Sequence, residues 1–453
     1  MIIVRKRLII WLIRAYLKKW GKVIPLYLLI GVIAFFSLNF LFSNFSAKIP
    51  VGQKESIGIV GAYTLDNLPS FVQNDISSGL TSVSDDGTPK PALAKYWKIQ
   101  DDGKTYVFYL RDNVYFSDGK KLTSEDISYN FSNVTMIKPT SSVIAFKLKD
   151  VYAPFLITVS RPIFKKNFIG TGEYKIKNVK LNGNFVQSLT LVSKNNSYKQ
   201  KTYLFYPTAE SLKTSYMLGE ITNAKGLSDL GFENTFIEKY PNTLTEKTVN
   251  YSKLVTLFFN TKDKTLSDKK VRNALAYAIP DQFSMGERSY APYSKISWIF
   301  KENTGLYEKY TQDFAHARLL LANSFPNGEK ITFNLKTLSK YKKAAEEISG
   351  EWKKINIQTK IEVVNTVPSS FQIFLGDFSV SKDPDQYTLW HSDQENNITN
   401  YKSLRIDKFL EDGRKTIDMN ERKKIYADFQ KYLMDDSPAA FLYFPYEYEI
   451  KRN

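Results

Sequence analysis

The chain has 453 residues, 43% hydrophobic and 24% charged, with a formal net charge of +17 and no cysteine. That length allows two or three packed domains, and that composition excludes a disordered chain. The missing cysteines exclude disulfides, thiolate metal sites and cysteine nucleophiles.

A positive charge of this size raises nucleic-acid binding as a function. Seven of the cations, however, fall within residues 1–22 (Arg5, Lys6, Arg7, Arg14, Lys18, Lys19 and Lys22), with no acid among them. The remaining cations are scattered, with no basic run to track a phosphate backbone, so no nucleic-acid partner is expected.

Residues 1–22 read as a basic cytoplasmic or interfacial segment. Leu8–Trp20 is too short to span a bilayer; its mixture of Trp, Tyr and Leu with Arg and Lys suits a helix at the inner membrane interface, and equally an extension of the next helix. Val23–Phe42 is twenty residues without a charge, the length of a bilayer's hydrocarbon core, and residues 23–43 are predicted to form a transmembrane anchor. The cations preceding it place the N-terminus in the cytoplasm and everything after about residue 45 outside. The competing reading is a cleaved signal peptide, which needs small residues at −1 and −3. Phe45-Ser46-Ala47 offers a phenylalanine at −3 and Asn44-Phe45-Ser46 an asparagine, which favours an uncleaved anchor.

Beyond the anchor, Ser56–Val60 is predicted as a strand, followed by the loop Gly61–Thr64. Trp97–Ile99 and Tyr106–Leu110 alternate with period two and flank Asp101-Asp102-Gly103, which predicts a hairpin. Val114–Phe116 reads as a further extended piece ended by Asp118-Gly119. Thr123, with Asp126 three residues on, forms a capping box and predicts a helix starting there. Ala145–Lys149 and Pro154–Val159 read as strands and Ser211–Gly219 as a short helix. Gly170-Thr171-Gly172 invites a phosphate-loop reading, but no Lys-Ser/Thr follows, and a strand-entry turn is expected. Val255–Thr261 is a buried strand. Behind it, Val271, Ala274, Leu275, Ala278 and Ile279 share one helical face, with Asp268 as the cap and Pro280 as the stop. Helices over 314–324 and 341–355 and strands over 357–364 and 371–375 follow, an alternation that indicates an α/β lobe.

The succession Pro91-Ala92-Leu93-Ala94, Trp97, Asp101-Asp102-Gly103, Tyr106 to Arg111, and Phe116-Ser117-Asp118-Gly119 to Ile127 resembles the signature of the family 5 extracytoplasmic solute-binding proteins. These serve oligopeptide, dipeptide and nickel-type ABC transporters. Gly170–Ile176, Val271–Ile279, Asp383-Pro384-Asp385-Gln386-Tyr387 and Pro438–Phe444 resemble further elements of the same family in the same order. The resemblance implies an α/β, two-lobed periplasmic-binding-protein fold, type II of the large peptide-binding class, with a trimmed third subdomain. Lobe I would take residues 52–255, with 436–453 returning to it, and lobe II residues 256–435. By the same resemblance the ligand-contacting candidates are Tyr63, Trp298, Tyr387, Trp390, His391 and Asn397. Peptide-binding members carry an acid shortly before the Pro-Asp-Pro run, where it pairs with the peptide's amine. Here that position aligns with Val380, between Ser379 and Ser381, and Asp377 is a nearby substitute.

No catalytic constellation accompanies these elements. The two histidines, His316 and His391, lie far apart, and no hydrolase motif or paired metal-ligand spacing occurs. Asp383 and Asp385 suit a turn built on Asp and Pro, with a cation site or acid–base pair as the alternative. No cofactor or metal is expected, and the chain is read as a non-enzyme. The resemblance makes it a membrane-anchored receptor that captures a peptide or other small solute and passes it to permease and ATPase subunits. A sensor or surface chaperone of the same fold is the alternative, and an anchored hydrolase a third.

Overall fold

The computed structural model of the protein describes residues 6–21, 23–46, 54–300, 310–327 and 329–452. The chain divides into two compact units, Met1–Lys54 and Glu55–Asn453.

The first unit contains helices α1 (Lys6–Trp20) and α2 (Val23–Ser46). α2 contains the predicted apolar run, and Pro25 in its first turn cannot continue a helix arriving from upstream. Among the described residues no single helix is both long and apolar enough to cross a membrane. Ile13–Trp20 and Pro25–Ser37 reach that standard as a pair, bent by 78°. The expected single transmembrane helix is therefore not shown. Of the two tripeptides weighed as cleavage sites, Asn44-Phe45-Ser46 ends α2, and Phe45-Ser46-Ala47 extends into residues outside those described.

In the second unit, β1 (Lys54–Val60) precedes α3 (Ser70–Ile76), and β2 (Thr81–Val83) pairs with β3 (Pro89–Pro91). The predicted hairpin is β4 (Ala94–Gln100) with β5 (Thr105–Leu110), register Trp97 to Phe108. Its turn places Asp101, Asp102 and Gly103 at φ 51°, 50° and 95°, the left-handed values that Asp and Gly tolerate. With β6 (Val134–Thr140) and β7 (Val143–Leu148) these form a sheet in the order β4-β5-β7-β6.

Val114–Phe116 is extended and is folded back by the Asp118-Gly119 turn, with one bridge, Tyr115 to Lys121. Two expectations fail in this region. The capping box at Thr123 forms, but it closes only the single turn Ser124–Asp126. Beyond it Ile127, Tyr129 and Phe131 face the core alternately, a period of two that keeps the chain extended. Pro154–Val159 is not a strand but contains the short helix α4 (Phe155–Thr158), whose buried Phe155 and Val159 stand one turn apart.

β8 (Tyr174–Asn182), β9 (Phe185–Ser193) and β10 (Gln200–Tyr206) form an antiparallel meander. α5 (Ala209–Met217) is capped by Thr208, and β11 (Asn223–Leu227) lies parallel to β1. β12 (Gly231–Phe232) and β13 (Thr235–Phe236) make a small ribbon. β14 (Thr243–Val249) and β15 (Lys253–Phe259) come next.

α6 (Lys269–Tyr277) starts on Asp268, whose carboxylate accepts the Lys270 N–H at 2.8 Å. Val271, Ala274 and Leu275 face inward as predicted. β16 (Gly286–Arg288), α7 (Phe314–Ser324), β17 (Ile331–Leu338), α8 (Lys342–Lys353), β18 (Ile357–Val364) and β19 (Ile373–Ser379) follow. Then come α9 (Tyr387–Trp390), α10 (Leu404–Lys415), α11 (Met419–Asp436) and β20 (Ala439–Arg452).

The main sheet runs β18-β17-β19-β15-β20-β11-β1-β10-β9-β8, and β14 and β16 also pair with β20. β20 joins two stretches of this sheet. Its start, Ala439–Tyr443, pairs with β15, and from Tyr446 onward it pairs with β14, while β11 pairs with it over Tyr448–Lys451. Pro445 sits at the changeover, where a residue without an N–H costs the ladder least.

Candidate functional site

β19 ends in a run of polar turns. The Val380 N–H donates to the Ser252 carbonyl at 2.8 Å, which ties the end of β19 to the connection between β14 and β15. Asp383 then accepts the Asp385 N–H at 2.9 Å, and Asp385 accepts the Tyr387 N–H at 3.0 Å. Each carboxylate thus bonds the backbone two residues on, the turn chemistry expected of Asp.

The remaining carboxylate capacity goes to guanidinium groups. Arg422 donates to both oxygens of Asp383, at 2.8 and 2.6 Å, and Arg414 Nε donates to Asp385 at 2.8 Å. Burial pushes the Asp385 carboxyl above its usual range, against the pull of Arg414. Two carboxylates engaged in this way brace the turn. Among the described residues no group of three or more acidic or histidine side chains is placed to hold a metal ion.

Beside this turn lies a cavity of about 820 Å³, within the size range of small-ligand sites. Phe71 and Asp85–Asp86 line it, as do Thr248–Ser252, from the end of β14 to the turn before β15, and Glu447 of β20. Tyr293 and Ser297 come from the segment after β16, and Val380–Lys382 from the end of β19. The Tyr293 hydroxyl donates to the Pro384 carbonyl at 2.9 Å, joining the cavity wall to the Asp383–Asp385 turn. Lys382 Nζ reaches the Asp85 carbonyl at 3.0 Å, and the Trp298 N–H donates to the Asp86 carbonyl at 2.8 Å. The Asp85–Gly87 turn is thereby held against two segments that follow β15.

None of the six residues expected from the resemblance lines this cavity. The Tyr63 phenol is raised by burial and, secondarily, by the field of Glu447, while its hydroxyl bonds the Val60 carbonyl at 3.3 Å. The Trp298 side chain is buried beside a smaller space of about 60 Å³, shared with Asp383 and Arg422. The Tyr387 and His391 rings stack at 4.1 Å, with Arg414 3.9 Å from the Tyr387 ring and Glu411 3.4 Å from His391 Nε2. Trp390 is buried and donates Nε1–H to Gln386 at 2.8 Å. Asn397 bonds the Tyr401 carbonyl at 2.7 Å and the Thr399 hydroxyl at 2.8 Å. The polar atoms of Trp390, His391 and Asn397 brace the loop that follows β19.

Comparison with known proteins agrees with this architecture. The profile of bacterial extracellular solute-binding proteins, family 5, matches residues 88–154 and 133–400. The chain belongs to this family. It is 25% identical to the oligopeptide-binding protein AppA of Bacillus subtilis, with 89% of each chain covered. It is 23% identical to the periplasmic oligopeptide-binding protein OppA of Salmonella typhimurium, with 84% of each covered. The structure of B. subtilis AppA in complex with a nonapeptide superposes with a TM-score of 0.67 at 22% identity, covering 88% of this chain and 95% of that one. An ABC transporter substrate-binding protein, CtaP, from Listeria monocytogenes gives a TM-score of 0.75 at 20% identity, covering 88% and 94%. The family 5 fold is thus mixed α/β and two-lobed, as expected.

In this family 5 chain Val380 does line the cavity, whereas Asp377 does not. Asp377 lies on β19 opposite Val255, and its carboxylate is 2.7 Å from Lys340 Nζ. It is therefore engaged elsewhere and does not supply an acid in place of Val380. Sequence reasoning missed Tyr251, Tyr293, Lys382 and Glu447. The first two sit in short irregular segments without a motif. Glu447 reads simply as one polar position of an alternating strand.

Proposed function

We propose that this family 5 protein captures a peptide-like solute in the 820 Å³ cavity and hands it to the permease and ATPase subunits of an ABC importer. The observation that carries the reading is the make-up of that cavity. Segments from before β4, from the β14–β15 connection and from the end of β19 meet around it. A solute touching all three favours the state in which they are brought together.

Lobe I is taken as residues 52–255 with 436–453, and lobe II as 256–435, with β14, β15 and β20 as the crossing strands. The aromatic rings of Phe71, Tyr251 and Tyr293 supply apolar wall, and Ser252, Ser297 and Asn250 supply hydrogen bonds that fix orientation. Nothing in this constellation suggests turnover, and the protein acts as a receptor rather than an enzyme.

The N-terminal unit is read as the attachment to the membrane: α2 enters the bilayer, and the basic α1 stays at the cytoplasmic interface. The run of cations ahead of the apolar helix supports this orientation. Extraction of membranes at alkaline pH tests it; release of the full chain into the supernatant refutes the anchor.

The receptor reading is tested by mass spectrometry of whatever copurifies with the full chain, followed by thermal melting with the identified compound. A solute at about one hundred times its Kd stabilises by about 2.7 kcal/mol. No copurifying compound, and no shift across broad peptide libraries, refutes it.

A further inference from the structure

Glu447 differs from the other charged groups around the cavity. It lies on β20 opposite Thr248 of β14, and its side chain lines the space where the two crossing strands meet. Two residues along the same face of the strand, Glu449 pairs with Lys225 at 3.1 Å. Among the described residues Glu447 forms no ion pair. Its side-chain partner is Asn250, whose Nδ2 donates to Oε1.

Asn250 is itself fixed, because its Oδ1 accepts the Ser252 N–H at 2.9 Å and the Ser252 hydroxyl. The Glu447 carboxylate is therefore held in one orientation before any solute arrives, yet carries a charge that no protein cation offsets. A partly buried carboxylate in that state is stabilised by a cation brought to it.

The other charges of the cavity are already engaged. Lys382 reaches over Asp85, and Asp86 accepts the Thr88 N–H at 3.0 Å. Val380 and Ser381, which also line the cavity, carry no charge. The cavity thus has three carboxylates and one ammonium in a chain of net charge +17. Exposed aromatic surface at Phe71 and the Tyr251 ring complete a lining that suits an organic cation.

We propose that Glu447 sets the charge of the ligand: it receives a primary ammonium group, so that the solute lies with its amine against β20 rather than against the end of β19. This rests on the receptor reading above and adds to it a residue and a direction.

The test uses the full chain in detergent and two tripeptide pools of identical sequence content, one with free amines and one N-acetylated. The free-amine pool is expected to raise the melting temperature and the acetylated pool to leave it unchanged. Glu447→Gln keeps an oxygen for Asn250, so the unliganded protein should melt as the parent does while its affinity for the free-amine pool falls at least about tenfold, the effect of 1.4 kcal/mol. A second variant, Val380→Asp combined with Glu447→Gln, returns a carboxylate to the same cavity and is expected to recover part of the lost affinity.

Equal shifts from both pools, or undiminished binding by Glu447→Gln, overturn the proposal and leave the receptor reading intact. Loss without recovery in the double variant overturns it in favour of a packing role. A protein that shifts with neither pool removes the peptide-receptor reading itself.

Discussion

Replacing Arg422 by methionine removes the most completely buried cation–carboxylate contact beside the cavity. Both side chains of the Arg422–Asp383 pair are 6% exposed, and the guanidinium also donates to the Gly413 carbonyl at 2.7 Å. The variant leaves the Asp383 charge without its cation and the Gly413 carbonyl without this donor, a loss of about 3–5 kcal/mol. The unit Glu55–Asn453 has roughly 400 residues, and about 2.1 cal/mol/K per residue gives an unfolding entropy near 0.8 kcal/mol/K. The melting temperature is then expected to fall by about 4–6 °C, provided this unit melts cooperatively.

Calorimetry on the full chain reads this directly, with Lys408→Ala as the control. Lys408 and Asp412 also meet at 2.8 Å, but their side chains are 70% and 38% exposed, so this change should leave the melt where it was. Removing both partners, Arg422→Met with Asp383→Leu, should recover most of the loss, because no charge is then left buried alone. If Arg422→Met melts no lower than Lys408→Ala, the turn is not held by this pair and the reasoning fails.

Three further outcomes are expected. Burial acts to raise the Asp126 carboxyl, but its bonds to Thr123 and its contact with Lys165 outweigh that and hold it below its usual 3.8. Its stabilisation is therefore present above that value and lost as pH falls through the lower folded one, so Asp126→Asn should cost about 1 kcal/mol at neutral pH and progressively less as acid-titrated melts pass through the lowered value. Gly87 has φ 91°, and an added Cβ would stand 2.1 Å from the Lys382 carbonyl oxygen. Gly87→Ala should cost about 1–3 kcal/mol and part the Asp85–Gly87 turn from Lys382, read as a larger radius of gyration in X-ray scattering. Trp352 is fully buried and donates to the Leu275 carbonyl at 3.0 Å, so Trp352→Ala should cost about 3–5 kcal/mol in denaturant melts.

Much of the fold was legible because local chemistry and tertiary demand agree at its key positions. The Asp101–Gly103 turn and the inward face of α6 are set by residues whose preferences nothing else contradicts. The failures occur where they conflict. The cap at Thr123 signals a helix, but Ile127, Tyr129 and Phe131 are each needed by the core beneath β4–β7, and burial on alternate residues outweighs a cap worth about 1 kcal/mol.

The candidate site was less legible. Trp390, His391 and Asn397 are the residue types that contact ligands, but they are also the types that satisfy a buried irregular loop, and here they do the latter. The cavity wall is instead assembled from short pieces more than one hundred residues apart, such as Asn250 and Glu447, and no window of the sequence brings them together.

The double membership of β20 also bears on how the protein comes to be folded. The stretches of the main sheet on either side of Pro445 each need residues between 439 and 452 to fill a central place. A chain emerging from its N-terminus has every strand of the β4–β7 sheet early, but the main sheet keeps a gap beside β15 and β11 until those residues appear. The last strand to be made is therefore the one that closes it.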